Sequence, residues 1–331
     1  MRSEGSWSTG RYYPIIVIED LEKGCTYFME HDGGIYHCEL KNGNVEIKEK
    51  TELDRPMYMT VADNKMYVIL REAFENGESG MCSFDIDNSG KLINQSGIVS
   101  TKGIVACHIY ANSSDVYAVN YLSGTAIRFP DTVVKHKGKG INPKRQEMPH
   151  THYVGITPDE RYICVTDLGL DKICFYDKDL NFKFDIDVPS GHGARHLAFS
   201  EDGKYLYCIN ELMSTVSVFI YDGKNTRILN TYSALPPDFS GHNQAAAIRV
   251  YKNKVYASNR GHGSIAVFDI CGDELIPDGF IQTGREPRDF NITDDILISC
   301  NMSDDTVTLY DLNNNRKSLM SLQIKKPICA V

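Results

Sequence analysis

A strand-turn-strand unit recurring about every 40 to 50 residues limits what this chain can fold into more than any other feature. Residues 195–221 read RHLAFSEDGKYLYCINELMSTVSVFIY, 152–176 read HYVGITPDERYICVTDLGLDKICFY, and 288–310 read RDFNITDDILISCNMSDDTVTLY. Each is an apolar strand, a tight polar turn, a second strand ending in Asn or Asp, a polar loop and a third strand. The runs alternate or are continuously apolar and β-branched, the turns carry Asp-Gly or Asp-Asp, and helical periodicity is absent. Further copies at MYMTVADNKMYVIL, CHIYANSSDVYAVN and AIRVYKNKVYASN put first strands near 57, 107, 152, 195, 246 and 288.

That period is the length of a propeller blade. A repeat array also explains how 331 residues run on with no Pro/Gly/Ser-rich or single-sign charged linker. The segment KKPICAV looks like a seventh first strand with nothing after it, while residues 11–50 (YYPIIVIED, GGIYHCEL, NVEIKEK) look like three strands lacking a first. Joining them completes a seventh blade and protects the sheet edges. The expected fold is therefore all-β: one domain, a seven-bladed β-propeller of four-stranded antiparallel blades. The blades fall near 53–102, 103–148, 149–190, 191–240, 241–283 and 284–323, with residues 11–52 and 324–331 sharing the last.

Charge and cysteine usage narrow the function. A formal net charge of −9 argues against nucleic-acid binding, so an anionic ligand would have to be met by local cations. No apolar leader and no run of 18 apolar residues is visible, which predicts a cytoplasmic protein that does not span a membrane. The ten cysteines lack CxxC pairs and sit in strand-like runs, as small buried hydrophobes do in a reducing compartment. No cofactor or metal is expected, because no carboxylate or thiolate cluster has ligand spacing. A monomer or weak homo-oligomer is anticipated.

Blade topology locates the site before any chemistry. In an antiparallel blade the first strand starts, and the second ends, at the same end of the sheet. All such junctions therefore surround one mouth of the central channel. They carry Arg55, Arg71, Arg195, Arg260, Arg285 and Arg288, the histidines 108, 150, 152, 192, 196, 242 and 262, and Glu211, Asp167, Asn120, Asn210, Asn259 and Asn301. Seven of the ten histidines lie in this set. The four asparagines recur at one blade position, which points to a structural role in bonding loop backbone.

The segments GHGARHLAFSEDGKYLYCINELMSTVSVFIYD, PHTHYVGITPDERYICVTDLGLDKICFYD, NRGHGSIAVFDI and GREPRDFNITDDILISCNMSDDTVTLYD resemble the seven-bladed lactonase family. That family includes bacterial 6-phosphogluconolactonases and a fungal 3-carboxy-cis,cis-muconate lactonizing enzyme. The resemblance spans residues 103–323; the opening YYPIIVIEDLEKGCTYF departs from the family's short Tyr-rich start. It implies site residues His150 or His152 from PHTH, Arg195, Glu211 and Arg260, with Arg288 a further cation at an equivalent strand start. His196 and His108 are added as candidate substrate contacts.

Chemistry gives these residue types separate reasons. Lactone hydrolysis needs a base to take a proton from water, a cation or donor for the oxyanion, and anchors for the rest of the substrate. His152 or Glu211 can be the base, and Arg195 and Arg260 can hold a phosphate or carboxylate in two-pronged fashion. The same set suits cycloisomerisation of a tricarboxylate. The expectation is a lactonase acting on a small anionic lactone, 6-phospho-D-glucono-1,5-lactone foremost, as in the pentose phosphate pathway. A carboxymuconate cycloisomerase and a non-catalytic binding propeller are the alternatives.

Overall fold

The computed structural model describes residues 25–31, 33–41 and 44–331. Their strands form antiparallel sheets, six of four strands and one of five, with only two short 3-10 turns. The inner strands are Pro56–Ala62, Ala106–Ala111, Thr151–Ile156, Ala194–Phe199, Ala245–Tyr251, Pro287–Thr293 and Pro327–Ala330. Each packs against the next, and Pro327–Ala330 lies between Pro287–Thr293 and Pro56–Ala62, so the sheets run round a seven-bladed propeller. Blade two starts at Pro56 and blade seven at Pro287. Blade one combines Pro327–Ala330 with Cys25–Glu30, Gly34–Lys41 and Asn44–Glu52. No helix among the described residues is long and apolar enough to cross a membrane.

One strand of blade one is formed by a segment that the repeat did not mark. YYPIIVIED lies outside the described residues, and the place beside Pro327–Ala330 is taken by Cys25–Glu30, with Phe28 opposite Ala330 and Met29 opposite Cys329. The reason is packing on two sides: Tyr27 and Met29 join Ile328, Met59 and Phe84 between blades one and two, while Phe28 joins Ile298 and Val307 against blade seven.

The blades bury their inner strands on both faces and expose only their outer ones. Ala194–Phe199 is buried at every residue, whereas the outer strand Phe182–Asp187 is exposed at alternate positions. The core is accordingly a series of apolar layers between neighbouring sheets. Charged residues on the outer strands, such as Lys183 and Asp185, discourage edge-to-edge pairing.

One irregularity repeats round the ring and builds the mouth. Near the start of each inner strand the register slips: Thr151 faces Asp167 and Tyr153 faces Thr166, leaving His152 without a partner. In the same way Arg195 is skipped between Ala194 and His196, and Arg288 between Pro287 and Asp289. Met57, Cys107, Ala246 and Ile328 stand at the equivalent places in the other blades. A bulge frees a side chain from the alternation of its strand and re-aims it. The bulged residues form a first ring at the mouth.

A second ring follows each second strand. There a backbone N–H bonds the carbonyl just before the inner strand: Arg71 to Arg55, Tyr121 to Val105, Leu168 to His150, Glu211 to Gly193, Arg260 to Gln244 and Met302 to Glu286, all within 2.8–3.1 Å.

Candidate active site

Glu211 is the hub where the two rings meet. Its Oε1 accepts from Arg145 Nη2 at 2.6 Å, and its Oε2 accepts from Arg195 Nε and lies beside Arg260 Nη2, both at 3.0 Å. Burial alone would raise the carboxyl, but Arg260 and Arg195 hold it well below the usual carboxylate range. It is a permanent anion and a weak base. Burial, reinforced by Arg260, brings Arg195 down to about 10, still protonated at neutral pH. Arg195 also donates to the Ala246 carbonyl at 2.7 Å and Arg260 to those of Gln244 and Ala245 at 3.3 Å, which fixes both guanidiniums. The Arg260 turn depends on glycine, because a Cβ at Gly261 would lie 2.0 Å from the His242 carbonyl oxygen.

His152 faces this cluster from blade four. Burial first, then Arg195, lowers its imidazole well below 6.5, so the ring is neutral, and its buried Nδ1 has no hydrogen-bond partner. His150 is engaged elsewhere: its Nδ1 meets the Tyr121 carbonyl at 3.1 Å, its Nε2 lies 3.3 Å from Glu147, and its ring stacks on Tyr121. Of these two histidines, His152 is the one with a nitrogen to spare. Cys107, the bulged residue of blade three, is pushed up to about 12 by burial and bonds backbone carbonyls; it offers no thiolate.

One residue further along the strands lies an aromatic layer. His108 sits between the rings of Tyr58 and Tyr153, 4.5 Å from each, and 5.1 Å from His196. His196 Nε2 is 3.3 Å from Arg195 Nη1. Arginine can only donate, so Nε2 accepts, the proton sits on Nδ1, and that buried Nδ1 has no partner. Burial keeps both rings neutral. His108 therefore belongs to the floor of the channel, whereas His196 reaches a small cavity of about 10 Å³, room for about one water, beside Arg195, Arg288 and Asp289.

Of the residues expected from sequence, His152, Arg195, Glu211 and Arg260 come together, with Arg288 and His196 alongside, His150 braced on Tyr121 and His108 beneath. Asn120, Asn210, Asn259 and Asn301 are wholly buried and bond loop hydroxyls and carbonyls that shape the mouth. Arg145 was missed. It comes from the irregular loop after the outer strand Thr132–Lys135 and crosses to a carboxylate 66 positions away, where repeat reasoning has no purchase. The Arg249–Asp289 ion pair of the floor, 2.9 Å long, was missed too. A larger space of about 590 Å³ lies between the outer parts of blades three and four, lined by Lys135, Lys139, Leu170 and Phe182. It contains none of the buried, unpartnered polar atoms that distinguish the mouth. Among the described residues no group of three or more His, Cys, Asp or Glu is placed to hold a metal.

The profile of the family described as Lactonase, 7-bladed beta-propeller matches residues 24–330. The chain belongs to that family. Among the relatives of this lactonase propeller is an uncharacterised Lactococcus lactis protein, 35% identical over 86% of this chain and 90% of its own. A solved structure from Lactobacillus plantarum is 28% identical, covers 93% of this chain and 98% of its own, and has a TM-score of 0.83. One from Bacteroides fragilis, described as a candidate 6-phosphogluconolactonase, is 25% identical with TM-score 0.84, covering 93% and 97%.

Proposed function

We propose that this lactonase propeller hydrolyses a phosphorylated sugar lactone, 6-phospho-D-glucono-1,5-lactone being the substrate that best fits, in the cytoplasm. Family membership supports a lactone, and the description of the Bacteroides fragilis structure supports the phosphorylated one. The observation that carries the chemistry is a neutral, incompletely bonded His152 beside guanidiniums fixed by Glu211. In this reading His152 takes a proton from a water as its oxygen bonds the lactone carbonyl carbon. N–H groups of Arg195 and Arg260 that Glu211 leaves free stabilise the tetrahedral oxyanion. The ring C–O bond then breaks, and the imidazolium returns its proton to the leaving alkoxide, giving the open hydroxy acid.

Glu211 acts as a positioning residue, not as the base, because both its oxygens are already engaged. The test is turnover of purified protein on the phosphorylated lactone, the unphosphorylated lactone and 3-carboxymuconate. Hydrolysis of the first is expected. Turnover of carboxymuconate alone would replace hydrolysis by cycloisomerisation, and silence on all three would leave a ligand-binding propeller.

A further inference from the structure

The mouth holds more positive charge than its carboxylates Glu211 and Asp289 account for. Arg145, Arg195 and Arg260 all converge on Glu211. Two further guanidiniums do not. Arg288, the bulged residue of blade seven, is partly buried and makes no hydrogen bond or ion pair among the described residues. Arg71, in blade two, stands at the second-strand position that Glu211 fills in blade five and Arg260 in blade six. Its Nε is buried without a partner, and it too forms no ion pair among the described residues. Between these arginines lie Met57 and Ile328, the bulged residues of blades two and one, and the cavity that Arg288 lines also holds Asp289, whose charge is met by Arg249. A partly buried cation without a bonded partner is costly unless something neutralises it, and partial removal from water strengthens an anion's attraction to it.

We propose that Arg71 and Arg288 form an anion-holding subsite across the mouth from His152 and Glu211, so that the substrate's phosphate or carboxylate lies several atoms from the reacting carbonyl. This rests on the lactonase reading above, and it moves the anionic group away from Arg195 and Arg260. Those two already spend donors on Glu211 and on backbone carbonyls, and what remains suits an oxyanion better than a dianion. Arg288 lines one small cavity with Met57, the bulged residue of the blade that carries Arg71. Chain-wide charge is no rival explanation, since the protein is net acidic at −9.

The experiment compares wild type with Arg71→Gln, Arg71→Lys and Arg288→Gln on three lactones: one with a terminal phosphate, one with a terminal carboxylate, one uncharged. Each glutamine variant is expected to raise KM for the anionic lactones by about 10- to 100-fold, the loss of a charged hydrogen-bond partner, with kcat nearly kept. The uncharged lactone should be handled as by wild type, and Arg71→Lys should recover part of the loss. Which anionic lactone suffers more identifies the group held. In parallel, calorimetry measures inorganic phosphate and 6-phosphogluconate binding to the same proteins. Variant-sensitive phosphate binding without turnover of any lactone keeps the subsite and discards the lactonase reading. Turnover whose preference for anionic over neutral lactone is unmoved by either glutamine variant overturns the subsite and leaves the lactonase reading intact.

Discussion

Blades five and two offer the mouth the same backbone and opposite charge. In both, the residue after the second strand bonds the carbonyl before the inner strand, Glu211 to Gly193 at 2.8 Å and Arg71 to Arg55 at 2.9 Å. Yet Glu211 is met by three guanidiniums while Arg71 has no ion-pair partner among the described residues. The repeat dictates where a side chain is presented, and neighbouring blades decide whether its charge is spent inside the protein or kept for a ligand. A saturated cluster fixes geometry; under the proposal above, the unsaturated one is open to an anion.

The severest break in that contrast is Glu211→Ala, which strands three cations on the saturated side. A loss of about 3–5 kcal/mol of stability is expected, with activity abolished, by urea denaturation and lactone assay. An Ala variant as stable as wild type would mean the cluster is not the rigid half. Next comes His152→Ala, which should lower kcat by about 10²- to 10⁴-fold with little change in KM. The double change His150→Ala/His152→Ala leaving full activity would remove the histidine base altogether.

Acidity probes the floor below both sides. His108, His152 and His196 have depressed pKa values when folded, so below about pH 6.5 the unfolded chain gains protons that the folded one refuses. Stability should be fully present above pH 6.5 and fall beneath it, by up to about 1.4 kcal/mol per pH unit for each histidine. Glu211, depressed as a carboxyl, adds a further loss below about pH 4. His37 and His192 are lowered by burial too, so His196→Gln should flatten the first slope by no more than its own share, up to about 1.4 kcal/mol per pH unit; an unchanged slope would mean that this ring charges in the folded protein. A smaller effect is expected of Arg71→Gln on unfolding, within about 0.5 kcal/mol, since no ion-pair partner among the described residues is lost; a drop of several would reveal a structural cation. Chelation should change nothing, and activity restored by one divalent ion after its removal would overturn that.

Much of this was legible in the sequence because a propeller's period is strict. Inner strands expected near 57, 107, 152, 195, 246 and 288 begin at Pro56, Ala106, Thr151, Ala194, Ala245 and Pro287. The period put His152, Arg195, Glu211 and Arg260 at one mouth among many other polar residues, and the resemblance to the lactonase family singled them out. The bulges did not show, because a one-residue slip at a strand's start leaves no mark in the repeat length and surfaces only in strand pairing. Arg145 was hidden for the opposite reason: its loop belongs to no repeat. In blade one CTYFME was not singled out as a strand, because its place is set by packing against Ile328 and Cys329, at the other end of the sequence.

Blade one also sets an order of events. The Thr26 hydroxyl bonds the Val331 carbonyl across a separation of 305 residues, among the most distant contacts a chain of this length can make. A growing chain emerging from the ribosome therefore carries Cys25–Glu30 with an open edge until Pro327–Ala330 arrives. During that interval the first-ring position of Ile328 is vacant and the floor between Arg71 and Arg288 is unfinished. The nascent protein is exposed to strand capture by its neighbours, and competence to bind an anion should arrive in a single late step as the last strand docks.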